Sequence, residues 1–243
     1  ERSKEGVVRP GREILECDEA AQSFNRMVMG LRERDLIRRT LGRYVPAKVA
    51  ESLLKKDGAL ATEETVATVL FADIEGFTRL TESLGPEGIV DLLNAYFSAM
   101  VDIIERHGGV VTQFQGDAIL VTFNLPVSDA MHTDNAVLAA RDLQRIVSDR
   151  RFHGVSLNIR IGIHTGEVIS GSCGSEQRLS YTVHGDAVNL ASRLEEMNKT
   201  DGTQILLSGD TRAGLTGSFE MQAVGEVDVR GRTKPVRIYT LDH

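Results

Sequence analysis

The spacing of apolar residues changes along the chain, and each change predicts an element. Cys17, Ala21, Phe24, Val28 and Leu31 recur at alternating steps of four and three, the seam of a coiled coil. The next seam positions, Asp35 and Arg38, are charged, and the apolar residues shift to Leu36, Ile37 and Leu41. That predicts a stutter or a helix end near residue 35. Pro46 fits the first turn of a further helix carrying Val49, Leu53 and Leu54. Residues 1–11 and 57–63 are polar and hold Gly6, Pro10, Gly11 and Asp57-Gly58, so they read as connectors.

Thr65 to Ala72 is β-branched and apolar, which predicts a buried strand. Thr78 to Leu84 reads as a short helix. Pro86 to His107 reads as a longer one, with Ile89, Leu93, Tyr96, Phe97, Met100 and Ile104 on one stripe and Gly108-Gly109 at its end. Val110 to Phe123 reads as a hairpin turning at Gln115-Gly116-Asp117. Helices are predicted over Asp129–Asp149 and Asp186–Asn198. Strands are predicted over Val155–Ile163, Glu167–Ile169, Leu179–Val183, Gln204–Leu207, Phe219–Val224 and Val236–Leu241, with Gly171–Ser175 as a flexible hairpin loop. Helices mixed with hairpins favour an α+β fold over a doubly wound one.

Bulk properties narrow the function classes. The 243 residues suit one medium domain with an appendage, or two small ones. A net charge of −7 argues against nucleic-acid binding, which needs a basic footprint. Two cysteines, Cys17 and Cys173, read as reduced thiols and not as a disulfide framework. No run approaches the ~20 apolar residues of a membrane span, and no signal peptide is legible. The first residue is Glu1 and not methionine, so a piece of a longer protein is expected.

Four segments carry candidate chemistry. In Phe71-Ala72-Asp73-Ile74-Glu75-Gly76-Phe77-Thr78, Asp73 ends a buried strand just before a helix. It could cap that helix, or face a cleft as a ligand for a hard cation. In Gln113-Phe114-Gln115-Gly116-Asp117, the Gly-Asp pair could be only a turn. Strand pairing could also bring Asp117 beside Asp73, and two such acids repel unless cations neutralise them. Paired metals about 3.5–4 Å apart clamp the attacking and leaving oxygens of phosphoryl transfer. Asn189 and Arg193 stand four apart on a predicted helix, either as a solvated polar face or as a clamp for an anionic centre. Arg230, Arg232 and Lys234 could grip a polyphosphate or line a solvated turn. His164 and His184 lack metal-ligand spacing and read as structural.

Taken in this order, the segments resemble the catalytic domain of class III adenylyl and guanylyl cyclases. The likeness runs from about Thr65 to Leu241. It implies a ferredoxin-like two-layer α+β core over residues 64–243 and a homodimer with active sites at its interface. It further implies that Asp73 and Asp117, helped by the Ile74 carbonyl, bind two Mg²⁺ or Mn²⁺. Asn189 and Arg193 from the other subunit would orient the ribose and stabilise charge on the α-phosphate of ATP. Gly76, Phe77 and Thr78, with Arg230, Arg232 and Lys234, would hold the phosphates; Arg230 stands where the family has a Lys. Gln113 and Thr182 occupy the purine-reading positions. Adenylyl cyclases usually have Lys in place of Gln113, and guanylyl cyclases Glu. The Gln113 amide both donates and accepts, while Thr182 favours the adenylyl side.

Residues 1–31 resemble the second half of a HAMP signalling domain, and residues 32–63 a coupling helix and linker. That likeness implies a receptor-type cyclase on the cytoplasmic side of a membrane, with a sensor region upstream. The competing readings are a guanylyl cyclase, a non-catalytic nucleotide-sensing domain and a scaffold dimer driven by residues 12–56.

Overall fold

A computed structural model describes residues 24–35, 42, 45–55, 60–175, 177–227 and 235–241. The chain divides into two units, Glu1–Ala47 and Lys48–His243. In the first, residues 24–35 form helix α1, which leaves Phe24, Met27, Met29 and Leu31 exposed. Cys17, Ala21 and the shifted apolar residues Leu36, Ile37 and Leu41 lie outside the described residues. Helix α2 (Ala47–Lys55) follows directly on Pro46 and buries Val49.

The second unit is built on one mixed sheet. Its strands are β1 (Glu63–Ile74), β2 (Val110–Gln115), β3 (Ala118–Phe123), β6 (Ile159–Ser175), β7 (Arg178–His184), β8 (Ile205–Ser208), β9 (Met221–Val227) and β10 (Val236–Leu241). The main path is β2-β3-β1-β6-β8-β10-β9, with β7 paired to β6. Every pairing is antiparallel except β6 with β8. Helix α3 (Phe77–Arg106) links β1 to β2, and α4 (His132–Asp149) lies between β3 and β6. This β-α-β-β-α-β order, with β6-β1-β3-β2 in space, is the ferredoxin-like arrangement expected from the resemblance.

Strand alternation divides the core. Leu70, Ala72, Ile74, Val121, Ile161 and Ile163 pack against α3 and α4 on one face. Ala67, Val69, Phe71 and Leu120 belong to the other face, where helix α5 (Asp186–Asp201) brings Ala187 and Ala191. Leu190 and Leu194 of α5 continue that cover over Leu206 and Ile238.

The short and long helices anticipated on either side of Gly85 are both present within α3, which leaves helical geometry at Gly85 (φ 70°, ψ 175°), a positive φ suited to glycine. Several other expectations need correction. The strand expected over Val155–Ile163 is interrupted. Val155–Ser156 (β5) instead pairs with Arg151–Phe152 (β4) in a separate ribbon. Its turn, His153-Gly154, has φ of 47° and 80°, the positive pair that a tight hairpin turn demands. The stretch Gly171–Ser175 is not a loop. β6 runs on to Ser175, because backbone pairing from Gly171↔Thr182 to Ser175↔Arg178 needs no bulky side chain. Helix α6 (Gly209–Gly214), capped by Ser208 accepting from the Thr211 N–H, had no apolar period to announce it.

Candidate active site

The site begins where β1 ends. Asp73 is the register partner of Arg160 on β6, and it alternates with Ala72 and Ile74, so it falls on the α5 face of the sheet. β3 pairs with β1 as far as Ala72↔Ile119, which sets the Gly116-Asp117 turn beside that strand end. Gly116 has φ of 65°, so the turn there favours glycine. Asp117 Oδ2 accepts the Ile74 N–H at 3.3 Å. Burial first, and then the neighbouring Asp73 carboxyl, push Asp117 up to about 7. The structure therefore brings together the two acids singled out from the sequence.

Asp73 does not cap the following helix. The residue at the N-cap of α3 is Gly76, and no side chain bonds to the helix end. Gly76, Phe77 and Thr78 form that terminus, whose amide groups suit an anion.

Three further residues at the acid pair were not singled out from the sequence as part of a site. Arg160 Nη2 donates to Asp73 Oδ2 at 3.3 Å, and Arg160 Nε donates to Glu195 Oε1 of α5 at 2.8 Å. Arg160 is 7% exposed and Glu195 4%. Burial raises the Glu195 pKa above the ordinary carboxylate value, although the Arg160 hydrogen bond opposes this. Tyr96 of α3, read only as part of an apolar stripe, is fully buried, and its hydroxyl has no hydrogen-bond partner among the described residues. Burial first, then Asp73 and Asp117, raise its pKa. The one available signal was Arg160 itself, a charged residue set between Ile159 and Ile161 in an alternating strand.

Helix α5 lies unusually close to the sheet. A Cβ on Gly162 would stand 2.1 Å from the Ala191 carbonyl oxygen and 2.3 Å from the Glu195 nitrogen, so only glycine lets α5 cross β6 there. Ala187, Leu190, Ala191 and Leu194 form the packed face of α5. At roughly 100° per residue, Asn189 and Arg193 occupy the opposite face. Both are exposed, and neither makes a hydrogen bond or ion pair among the described residues. A single chain thus holds the acids on one side of α5 and displays the amide and guanidinium on the other.

Gln113 is exposed on β2 and alternates with Phe114, whose ring lies 4.5 Å from that of Phe97 on α3. Thr182, half-buried on β7, bonds through its hydroxyl to His184 Nε2 at 3.2 Å. Arg230, Arg232 and Lys234 lie outside the described residues. A cleft of about 720 Å³ is lined by Glu64, Glu167, Asp186 and Asp210 among others. Glu64 stands nine residues before Asp73 on the same strand, about 30 Å away. Four carboxylates also make that cleft a poor receptor for a polyphosphate.

Asp73, Asp117 and the Ile74 carbonyl are hard oxygen donors, the kind that Mg²⁺ and Mn²⁺ take. Among the described residues, no three His, Cys, Asp or Glu side chains cluster closely enough to enclose a metal. Mg²⁺ usually binds through one or two carboxylates completed by water and substrate phosphate, so the donors present fit such an ion.

The family profile described as "Adenylate and Guanylate cyclase catalytic domain" matches residues 60–243. The chain belongs to that family. Adenylate cyclase 1 of Rhizobium meliloti (strain 1021) is 36% identical over 215 residues, covering 86% of this chain and 32% of that protein. The adenylyl cyclase CyaB from P. aeruginosa superposes with a TM-score of 0.67 at 33% identity, over 76% of this chain and 97% of that one. The guanylate cyclase domain of RhGC from Catenaria anguillulae, in complex with GTP, also gives 0.67, at 28% identity over 74% and 98%. This cyclase domain spans well under half the length of the curated relatives it matches. No helix among the described residues is long and apolar enough to cross a membrane.

Proposed function

We propose that this cyclase domain converts ATP to 3′,5′-cyclic AMP and pyrophosphate, as a homodimer whose two sites are each shared between chains. The observation that carries the reading is the split of groups about α5: Asp73 and Asp117 meet at the end of β1, while Asn189 and Arg193 face away from them. A second copy brings its Asn189 and Arg193 to the first copy's acids. The exposed apolar residues of α1 support a paired helix ahead of the domain, within a longer protein that carries a HAMP-like module and a membrane sensor upstream. On that reading the domain works on the cytoplasmic side of the membrane.

The reaction joins the ribose 3′-oxygen to the α-phosphorus and breaks the bond from that phosphorus to the β-phosphate bridge. Two divalent cations held by Asp73, Asp117 and the Ile74 carbonyl would supply Lewis acidity and acidify the 3′-hydroxyl. Asn189 orients the ribose. Arg193 meets charge that grows on the α-phosphoryl oxygens and so acts mainly on turnover. The amides of Gly76, Phe77 and Thr78, with Arg230, Arg232 and Lys234, hold the leaving phosphates. Asp73 and Asp117 serve as the metal ligands and burial holds the Tyr96 phenol protonated, so the proton passes to water or phosphate.

Thr182 and the rhizobial relative support ATP. The Gln113 amide suits either purine, which makes GTP the second reading. The test is incubation of the domain with Mn²⁺ and either ATP or GTP, with the cyclic product identified by mass. Cyclic AMP is expected to dominate, Gln113→Lys to sharpen that preference, and Asp73→Ala to abolish turnover. Full activity in Asp73→Ala would overturn the metal assignment.

A further inference from the structure

A second cavity, of about 310 Å³, opens between α4 and the ends of β6, β8 and β10, and the mechanism above does not use it. Its size is at the small end of ligand cavities. α4 lends it Arg141, Gln144, Arg145 and Ser148, one stripe at helical spacing. Two of these are committed to the fold. The Gln144 amide donates to the Ile159 and Gln204 carbonyls at 2.8 and 3.3 Å, and the Ser148 hydroxyl to the Arg145 carbonyl at 2.8 Å. The other polar groups are not. The side chains of Arg141, Asn158 and Gln204 make no hydrogen bond or ion pair among the described residues. Arg145 reaches only Asp142, at 3.6 Å, and the other oxygen of that acid already bonds to His107 at 2.9 Å. Two guanidiniums and two amides are thus left to bond a guest.

Val147, Leu157, Ile205 and Leu241 give the cavity an apolar wall. Among the described residues, no carboxylate and no aromatic ring lines it. In a protein of net charge −7, an opening with two guanidiniums and no acid selects an anion. Inorganic phosphate would leave the apolar wall uncovered. A nucleotide would find no ring on which to stack its base. We propose that this cavity binds a small organic acid, its carboxylate held by Arg141 and Arg145 and its short aliphatic body laid on Val147, Leu157, Ile205 and Leu241. Guanidinium forks match carboxylate oxygens two at a time, which suits both arginines to that task.

The guest lies behind the metal loop. The Asn158 carbonyl accepts the Glu75 N–H at 2.8 Å, and Ile159, whose carbonyl Gln144 holds, is the register partner of Ile74. An occupied cavity braces the strand end that carries Asp73 and the Ile74 carbonyl, so it tightens the cation site. This second step rests on the metal assignment above.

Octanoate is the probe, followed by two-dimensional amide NMR of the whole protein. Saturable shifts are expected in the millimolar range, centred on Leu157–Ile159, Gln204 and Leu241. Octanol, which lacks the charge, and inorganic phosphate, which lacks the body, are each expected to bind about tenfold more weakly or worse. The double variant Arg141→Gln/Arg145→Gln changes two exposed side chains, and its melting temperature verifies folding; it is expected to lose octanoate affinity by about tenfold or more. By calorimetry on nucleotide-free protein, saturating octanoate is expected to raise Mn²⁺ affinity about fivefold in the wild type and to leave the double variant unchanged.

No saturable shifts at these residues up to about 50 mM octanoate would overturn the site, as would equal affinity in the folded double variant. Octanol or phosphate binding as well as octanoate would overturn the ligand class. Binding without a change in Mn²⁺ affinity would overturn the link to the metal loop. If the wild type binds no Mn²⁺ even without octanoate, the metal assignment fails and the NMR shifts alone decide the cavity. Neither readout needs turnover, so a domain that forms no cyclic nucleotide would sink the proposed function and leave this test intact.

Discussion

Gly162→Ala probes the seating of α5 with one methyl group. The new Cβ would meet the Ala191 carbonyl oxygen at 2.1 Å, the Glu195 nitrogen at 2.3 Å and the Leu194 carbonyl carbon at 3.0 Å. All three are backbone atoms, so no side chain can swing aside. Non-bonded heavy atoms settle at about 3.5 Å, so α5 must retreat by about 1 Å or tilt. Overpacking of this kind costs about 1–3 kcal/mol. The helix that moves carries Asn189, Arg193 and Glu195, and a 1 Å misplacement of catalytic groups costs about 10²-fold in rate. The expected result is a lower melting temperature together with a kcat reduced about 100-fold, measured with Mn²⁺ and ATP well below the melt and corrected to the folded fraction. Gly225→Ala is a useful control: its Cβ meets nothing within 4 Å, its φ is not in the left-handed region, and it lies on β9 at the far edge of the sheet. A Gly162→Ala protein that melts and turns over like the wild type would refute the claim that α5 is seated rigidly through that glycine.

Two further outcomes test the electrostatics. Without metal, folded Asp117 keeps its proton up to about 7, whereas the unfolded chain releases it near pH ~4. The folded state then binds more protons across that window, so this contribution to stability falls as pH rises through it and stays lost above it. Melting curves of wild type and Asp117→Asn at several pH values should therefore diverge towards pH ~8 without metal, and excess Mn²⁺ should remove the wild type's loss; parallel curves would contradict the shift. Asp134, in the first turn of α4, accepts from the Thr216 and Gly217 amides and the Thr216 hydroxyl, which outweigh its burial and lower its pKa. Asp134→Asn should cost about 2–3 kcal/mol in a thermal melt while leaving kcat per folded molecule unchanged, and the wild-type contribution of Asp134 should itself fade as pH drops below the usual carboxylate range.

Most of the sheet was legible, because its strands obey short-range rules. Thr65–Ala72 carries the β-branched run of β1, and Val236–Leu241 forms β10 within the bounds expected for it. The Gly116-Asp117 turn was legible for the same reason. The interrupted strand at Leu157-Asn158 was not, since the alternation of Val155, Leu157 and Ile159 looks identical whether one strand or two carries it. β6 beyond Gly171 was hidden for the opposite reason: glycine and serine advertise flexibility, and only pairing with β7 makes them a strand.

The acid pair could be guessed from two local motifs, but its supports could not. Arg160 and Glu195 are 35 residues apart and meet only because α5 crosses β6 over a missing side chain. Tyr96 kept its place in an apolar stripe, yet burial first and then the charges of Asp73 and Asp117 raise its pKa, an influence no periodicity contains. The tendency of Asn189 and Arg193 to face outward follows from helix spacing once Leu190, Ala191 and Leu194 are seen to be buried.

The shared site is tested most directly by mixing two broken copies. Asp73→Ala removes an acid and Arg193→Ala removes the guanidinium, so each homodimer alone is expected to be inactive. On the shared-site account, a heterodimer of the two unites its losses in one centre and leaves the other intact. Random reassortment of equal amounts should then restore about a quarter of the wild-type rate at the same total protein. A mixture as inactive as its components, with heterodimer formation verified by native mass spectrometry, would show that each chain builds its site alone and would contradict the account.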